Sequence, residues 1–285
     1  MPARTAHALR FRRGREQPHK ATLLALSRAE QEVAKGAFTR SRLAHIATLG
    51  ITLATLLVDG TLAYYLALAA LLTEIGAWLS RFLGDRRHSL AEEGRRRALL
   101  ADALDIPAQR LALRDLLTNF SRRAERLAPD WEDPHYYAAQ DDAGLNRLRS
   151  VMQESAFWSR RLYRRAWQLS LTTAVALLVL VLVALLIVVA AGSSNASLQV
   201  ARIGVIFLSF LVFSDLLTQT VAWWDASQKS DEVYHRLDRE LGEIATALAV
   251  FGDYSVATAT TPPIPTVLYK LEKARIERAW HATPE

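Results

Sequence analysis

The chain has 285 residues, 51% of them hydrophobic, and a formal net charge of +6. It contains no cysteine, which excludes disulfides, a thiolate zinc site and a cysteine nucleophile. Length alone would suit soluble domains, but the apolar residues are gathered into long runs, which excludes an ordinary water-soluble chain.

Residues 1–42 open with the basic stretch MPARTAHALRFRRGREQPHK, and no apolar segment follows within the reach of a signal peptide, so none is expected. The following LLALSRAEQEVAKGAF is amphipathic and reads as an N-terminal cytoplasmic helix. Residues 43–80 form a first transmembrane hairpin, in which Leu43–Val58 and Leu62–Leu79 are separated only by Asp59, Gly60 and Thr61. So short a glycine-containing connector forces antiparallel helices. The first of these spans has 16 residues, so its ends reach the headgroups or the bilayer thins around it.

Residues 81–167 read as a cytoplasmic helical region. LAEEGRRRALLADAL continues from the membrane, and Pro107 opens a second helix, PAQRLALRDLLTNFSRRAERL. After the loop APDWEDPHYYAAQDD, GLNRLRSVMQESAFWSRRLYRR runs as a helix into the third span. Residues 168–222 form the second hairpin. From Ala174 to Ala191 lie 18 consecutive residues without a polar side chain, about the length needed to cross a ~30 Å hydrocarbon core. GSSNASLQV is the polar turn, and Ala201–Ala222 is the last span. Residues 223–285 are a helical cytoplasmic tail containing the amphipathic SDEVYHRLDRELGEIATALAVF. The expected fold is therefore all-α: an integral membrane protein with four transmembrane helices in two hairpins and a cytoplasmic helical bundle.

Charge sets the orientation. Residues 1–42 hold ten Lys and Arg, 81–166 hold seventeen and 223–285 hold seven, and the two short connectors hold none. Both termini and the central region are expected inside. This bias also accounts for the basic balance without DNA or RNA binding.

Polar residues within the spans are candidates for a pore. His45, Thr48, Thr52, Thr55 and Asp59 repeat at alternating spacings of 3 and 4, which places them on one face of the first helix. Ala63, Ala67, Ala70, Glu74 and Ala77 mirror them on the second. The stripes serve either close helix packing or a water path. Glu74 and Asp215 should lie in the cytoplasmic third of the bilayer. There they either pair with Arg81 or the Arg160–Arg165 cluster, or form acidic rings in an oligomeric pore.

Trp158, Arg160, Arg161, Arg164, Arg165 and Trp167 precede the third span, while Trp223 and Trp224 follow the fourth; all eight read as membrane-interface anchors. The seven histidines lack metal-ligand spacing, and no phosphate-binding glycine loop or nucleophile elbow is present. Neither enzymatic activity, a metal nor a cofactor is expected.

Three stretches resemble a known family. In LLALSRAEQEVAKGAF, Leu23, Leu24, Arg28, Ala34 and Lys35 match its N-terminal segment, while Ser27 and Gln31 depart from an expected glutamine and tyrosine. Asp130, Trp131, Tyr136 and Tyr137 lead into QESAFWSRRLYRR, where Gln153, Ser155, Trp158, Leu162, Arg164 and Arg165 fit; Ala156 and Ser159 replace an asparagine and an aspartate. In TPPIPTVLYKLEKARIERAW, Pro262, Pro263, Pro265, Leu268, Tyr269, Lys270 and Trp280 fit.

Together they resemble the SMODS-associated four-transmembrane-helix pore-forming effectors of bacterial cyclic-oligonucleotide anti-phage systems. The resemblance implies a multi-pass protein of the bacterial inner membrane, held shut until infection and then opened to breach that membrane. It also implies a cyclic di- or trinucleotide ligand made by a partner nucleotidyltransferase. A pore of this kind would be a homo-oligomer in the lipid bilayer.

Arginines bind phosphate in a bidentate manner and aromatic rings stack on bases. Trp131, Tyr136, Tyr137, Arg147, Arg149 and Gln153, lying off the membrane face, are therefore the candidate ligand contacts. A membrane scaffold that recruits a cytoplasmic signalling partner is the alternative.

Overall fold

In the computed structural model, the described residues are 20–58, 60–106, 113–133, 136–137, 139, 141–191, 200, 202–204, 206–207, 210, 215–239 and 243–282. The expectations for the basic N-terminal stretch, Asp59, Pro107 and most of the GSSNASLQV turn lie outside them. Among the described residues the chain is all-helical. The long helices are α1 (Lys20–Ala54), α2 (Thr61–Leu104) and α5 (Leu145–Ala191); α3 (Leu113–Asn119), α4 (Arg122–Leu127) and a 3₁₀ turn (Ala128–Trp131) lie between the last two. The helices α6 (Leu216–Asp238), α7 (Ile244–Ala259) and α8 (Thr266–His281) complete the chain.

Two of these helices are long and apolar enough to cross a membrane. Their most apolar stretches have mean hydropathies of 1.6 in α2 and 2.1 in α5, and only 11% and 22% of those stretches are buried. A helix that belongs to a soluble core hides its apolar side chains, whereas these display them: Leu72 is 60% exposed, Trp78 63% and Leu186 67%. Of the expected fourth span, residues 202–204, 206–207 and 210 are helical, and its end forms the first turns of α6.

Beyond their apolar stretches the helices pack into a bundle. α1 lies along α2 as the most extensive helix pair, followed by α5 along α6. Small side chains make this possible: Ala77, Ala91 and Ala34 are fully covered, and Gly94 brings α2 against Ser27 of α1. α2 then serves two cores from adjacent residues. Ala98 joins Leu23, Leu26, Leu116, Phe120 and Ala124 on one side. Leu99 joins Leu148, Met152, Val233, Val250 and Tyr254 on the other. Each large aliphatic side chain buried in this way contributes roughly 1.5–3 kcal/mol.

The helix expected from Pro107 onward is broken at Ser121. That residue is extended (φ −74°, ψ 146°), and its hydroxyl accepts the Ala124 N–H to start α4. The same hydroxyl donates to Glu30 Oε2 at 2.7 Å, and the Ser121 N–H donates to it at 2.9 Å. A buried glutamate of α1 thus makes this break worthwhile. The tail helix breaks similarly at Arg239, and Arg149 donates to the Leu237 and Asp238 carbonyls at 2.7 and 3.1 Å, closing the end of α6. Within the expected fourth span, Asp215 adopts a left-handed conformation (φ 57°), and α6 starts after it. Asp is one of the few side chains that tolerate this region.

Candidate functional site

A cavity of about 500 Å³ opens within the helical bundle. It is assembled from distant parts of the chain. α1 supplies Arg28, Gln31 and Lys35; α2 supplies His88, Glu92 and Arg95; the loop after the 3₁₀ turn supplies Asp133, Tyr136 and Tyr137. α5 lines it from Glu154 to Tyr163, and Tyr254 of α7 faces it. The tail closes it with Pro263, Tyr269, Lys273, Glu277 and Trp280. Seven aromatic side chains and both signs of charge therefore meet in a space of small-molecule size.

Its wall carries a buried ion pair. Arg95 donates to Glu92 Oε2 from Nε at 3.0 Å and from Nη2 at 2.7 Å, and from Nη2 to Thr258 Oγ1 at 3.4 Å. Gln31 donates to the other Glu92 oxygen. Burial by itself would raise the Glu92 carboxyl, but Arg95, His88 and these hydrogen bonds hold it below the usual range. Arg95 is correspondingly held above its ordinary value, burial being outweighed by Glu92 and by the Tyr254 and Tyr137 hydroxyls.

Arg28 is placed differently. Its guanidinium lies 4.7 Å from the Trp131 ring centre and 4.5 Å from that of Tyr136, and it donates to the Trp131 carbonyl at 3.3 Å. Tyr136 and Tyr137 meet edge to face at 4.8 Å. Trp158 and Tyr269 lie 6.3 Å apart across the α5–α8 contact. Burial pushes the Tyr137 and Tyr163 hydroxyls up, so both stay protonated.

The tail is tied in just before α8. His88 Nε2 donates to the Thr261 carbonyl at 2.9 Å, and Trp223 Nε1 donates to the Pro262 carbonyl at 2.9 Å. Two adjacent carbonyls thus join α2 to α6 through the segment that carries Pro263 into the cavity.

Of the expected ligand contacts, Tyr136 and Tyr137 line the cavity, and Trp131 sits behind it against Arg28. Gln153 is partly buried beside Glu154 but does not line it. Arg147 and Arg149 are placed otherwise. Arg147 donates to Asp102 Oδ2 at 3.0 and 2.8 Å and to the Asp141 carbonyl at 2.8 Å, and Arg149 closes α6. Both are committed within the chain, away from the cavity.

The expected anchors divide. Arg164 and Trp224 are exposed, and Trp167 is half-buried against Tyr163 and Trp223. Trp158 lines the cavity. Arg160 pairs with Asp231 at 3.0 Å and lies 3.8 Å from the Tyr234 ring; Arg161 lies 4.4 Å from the Phe157 ring, and Arg165 is 3.4 Å from Glu272. Trp223 is 4% exposed, with its N–H donated to the Pro262 carbonyl.

Of the intramembrane candidates, His45 Nδ1 sits 3.1 Å from Glu74 Oε1. Thr52 donates to the Thr48 carbonyl at 2.8 Å and Thr55 to the Thr52 carbonyl at 2.6 Å, while the Thr48 hydroxyl is buried without a partner. Asp215 lies 3.9 Å from Arg81, whose Nε also donates to Asp85 at 3.1 Å.

Sequence reasoning did not single out His88, Glu92, Arg95 or Tyr254. The usable signal was Glu92 and Arg95, three apart around Gly94 on a helix whose next turns are apolar. Among the described residues no group of three potential metal ligands gathers. Compared with known proteins, the chain matches no family model, no curated protein and no solved structure.

Proposed function

We propose that this chain is a four-span pore-forming effector of the bacterial inner membrane. In this reading it is homo-oligomeric and opened by a cyclic di- or trinucleotide bound in the cavity, which a partner nucleotidyltransferase supplies. The observation that carries the reading is the convergence of all three family-like stretches on that cavity. Arg28 and Lys35 come from the first, Tyr136, Tyr137 and Trp158 from the second, and Pro263, Tyr269 and Trp280 from the third. Cations suit the phosphates, and the rings suit the bases.

Packing supports four spans. The start of α1 shares a core with the cytoplasmic half of α2, so the Leu43–Ala54 end of α1 runs alongside the apolar half of α2. Tyr163 and Ala166 of α5 pack against Trp223 and Ala226 of α6, which brings the end of the expected fourth span beside the start of the third. Transmission is direct as well. α5 carries cavity residues from Glu154 to Tyr163 and continues without a break through Ala191, so its displacement at the cavity is felt in the bilayer. A ligand that prefers one arrangement of the bundle shifts the population towards it.

The second reading, a scaffold, is favoured by one observation: α8 exposes Val267 and Leu271 at 71% and 74%, one turn apart on a single face. Purified protein in dye-loaded liposomes separates the two. Leakage on adding a cyclic di- or trinucleotide is the expected result. An intact vesicle across the panel, with binding of a second protein that Val267→Asp or Leu271→Asp abolishes, would replace the pore with the scaffold.

A further inference from the structure

The helix α8 has two unlike faces. Leu268, Glu272 and Ile276, one turn apart, point into the protein. Leu268 packs against the cluster that Tyr163 and Ala166 of α5 form with Trp223, Glu272 lies 3.4 Å from Arg165, and Ile276 is 1% exposed. On the other side Val267, Lys270, Leu271, Ala274 and Arg278 fall within an arc of about 100° and are all exposed. At 71% and 74%, Val267 and Leu271 are the most exposed large apolar side chains among the described residues after α5. No carboxylate of α8 shares their face: Glu272 is turned inward to Arg165, and Glu277 at the edge lies 3.6 Å from Lys273.

The contacts of α8 also fix its level along α5. The Tyr163–Ala166 turn that meets Leu268 and Glu272 precedes Leu169 by only roughly 5–9 Å along the helix axis. Leu169 is 60% exposed and opens the apolar run. A headgroup layer is about 5–8 Å deep on each side of the hydrocarbon core. Further on, Trp280 lies 5.1 Å from Phe157, so α8 descends from that level as it proceeds. Its first turns therefore stand where headgroups would be, beside the exposed Arg164.

We propose that these first turns are a lipid contact. Val267 and Leu271 enter the boundary between headgroups and acyl chains, and Lys270 with Arg164 holds the phosphates of anionic lipid. This rests on the reading of α5 as a membrane span and adds the surface on which the tail rests. An acid-free apolar pair flanked by cations, level with the start of an apolar run, matches an anionic bilayer surface. Tyr269 and Lys273 line the cavity from the same helix, so the tail wall of the cavity is tied to the bilayer.

The chain has no cysteine, so a single introduced cysteine carries a nitroxide label without further changes. Val267→Cys, Leu271→Cys and Arg278→Cys sample α8 in the full-length protein, in nanodiscs of phosphatidylglycerol or of phosphatidylcholine. Leu180→Cys on α5 and Glu125→Cys on α4, both exposed, are the lipid and water references. Labels at 267 and 271 should collide with oxygen as the label at 180 does. Their collisions with a water-soluble nickel chelate should be several-fold fewer than at 125. The label at 278, about 17 Å further along α8, should stay in water. Protection should be greater in phosphatidylglycerol, and Lys270→Glu should remove that difference.

Nickel access at 267 and 271 equal to that at 125 would overturn the proposal. So would labels shielded from oxygen and nickel alike, the mark of a second copy or a protein partner on this face. Protection equal in the two lipids and indifferent to Lys270→Glu would overturn the role of anionic lipid. Nickel access at 180 as well would remove the membrane reading itself, which separates the two failures. Dye leakage from liposomes, with cyclic di-AMP and cyclic tri-AMP as probes, is scored separately. Lipid-like labels without leakage uphold the lipid contact and remove the gated pore; leakage with water-like labels at 267 and 271 does the reverse.

Discussion

Replacing Gly94 with alanine tests the packing that brings Arg28 and Gln31 to the cavity. A Cβ at this position would collide with Ser27 Oγ and lie 2.9 Å from Phe120 Cζ and 3.3 Å from Ser27 Cβ. Neither neighbour can easily give way. Ser27 is 1% exposed with its hydroxyl donating to the Leu23 carbonyl at 2.8 Å, and Phe120 is 5% exposed. Overpacking of this kind costs roughly 1–3 kcal/mol. Alanine also returns about 1 kcal/mol through its better helix propensity. The net loss is about 0–2 kcal/mol, or a fall of up to roughly 4–8 °C in Tm for a chain of this size.

Thermal unfolding of detergent-solubilised protein, followed by tryptophan fluorescence, measures it, because Trp131 packs against the same cluster. Gly36→Ala is the control. A Cβ there meets nothing within 4 Å, so its Tm should rise. Adding Ser27→Ala to Gly94→Ala should recover part of the loss by removing the nearest atom. A Tm that rises in Gly94→Ala as it does in Gly36→Ala would refute the close approach of α1 and α2.

Other outcomes follow from the same contacts. Arg147→Met should lower stability by about 1 kcal/mol, because the Asp102 partner is partly solvated, and leave probe affinity unchanged in a binding titration; a large loss of affinity would return Arg147 to the ligand site. Trp223→Phe removes the donor to the Pro262 carbonyl and should cost about 1–3 kcal/mol in thermal unfolding; an unchanged Tm would mean that the proline segment is held elsewhere. Glu92→Gln strands the buried Arg95, at a cost on the order of 3–5 kcal/mol. Because the folded-state carboxyl is depressed, the stability Glu92 confers is present at neutral pH and fades as pH falls through the folded value, below the ordinary 4.5. An acid titration of Tm should therefore be flatter in Glu92→Gln, and an equally steep profile would sink that attribution.

The two apolar helices could be read from the chain alone, since the hydropathy of α2 and of the Ala174–Ala191 run is a property of consecutive residues. The continuity of α5 from Leu145 into that run was legible for the same reason. So were Tyr136 and Tyr137, whose neighbouring prolines and acids mark a loop. The two helix breaks were not. They depend on Glu30, far away in α1, reaching Ser121, and on Arg149 of α5 reaching the end of α6.

The choice among arginines was also beyond the sequence. Arg28, Arg95, Arg147 and Arg149 look alike as charges on amphipathic helices. Position in the bundle alone gives Arg147 to Asp102 and Arg149 to two carbonyls, and places Arg28 and Arg95 on the cavity. Sequence by itself determined the long apolar helices, because period and composition are local sums. Which polar groups are paired, and with what, was decided by contacts between helices distant along the chain.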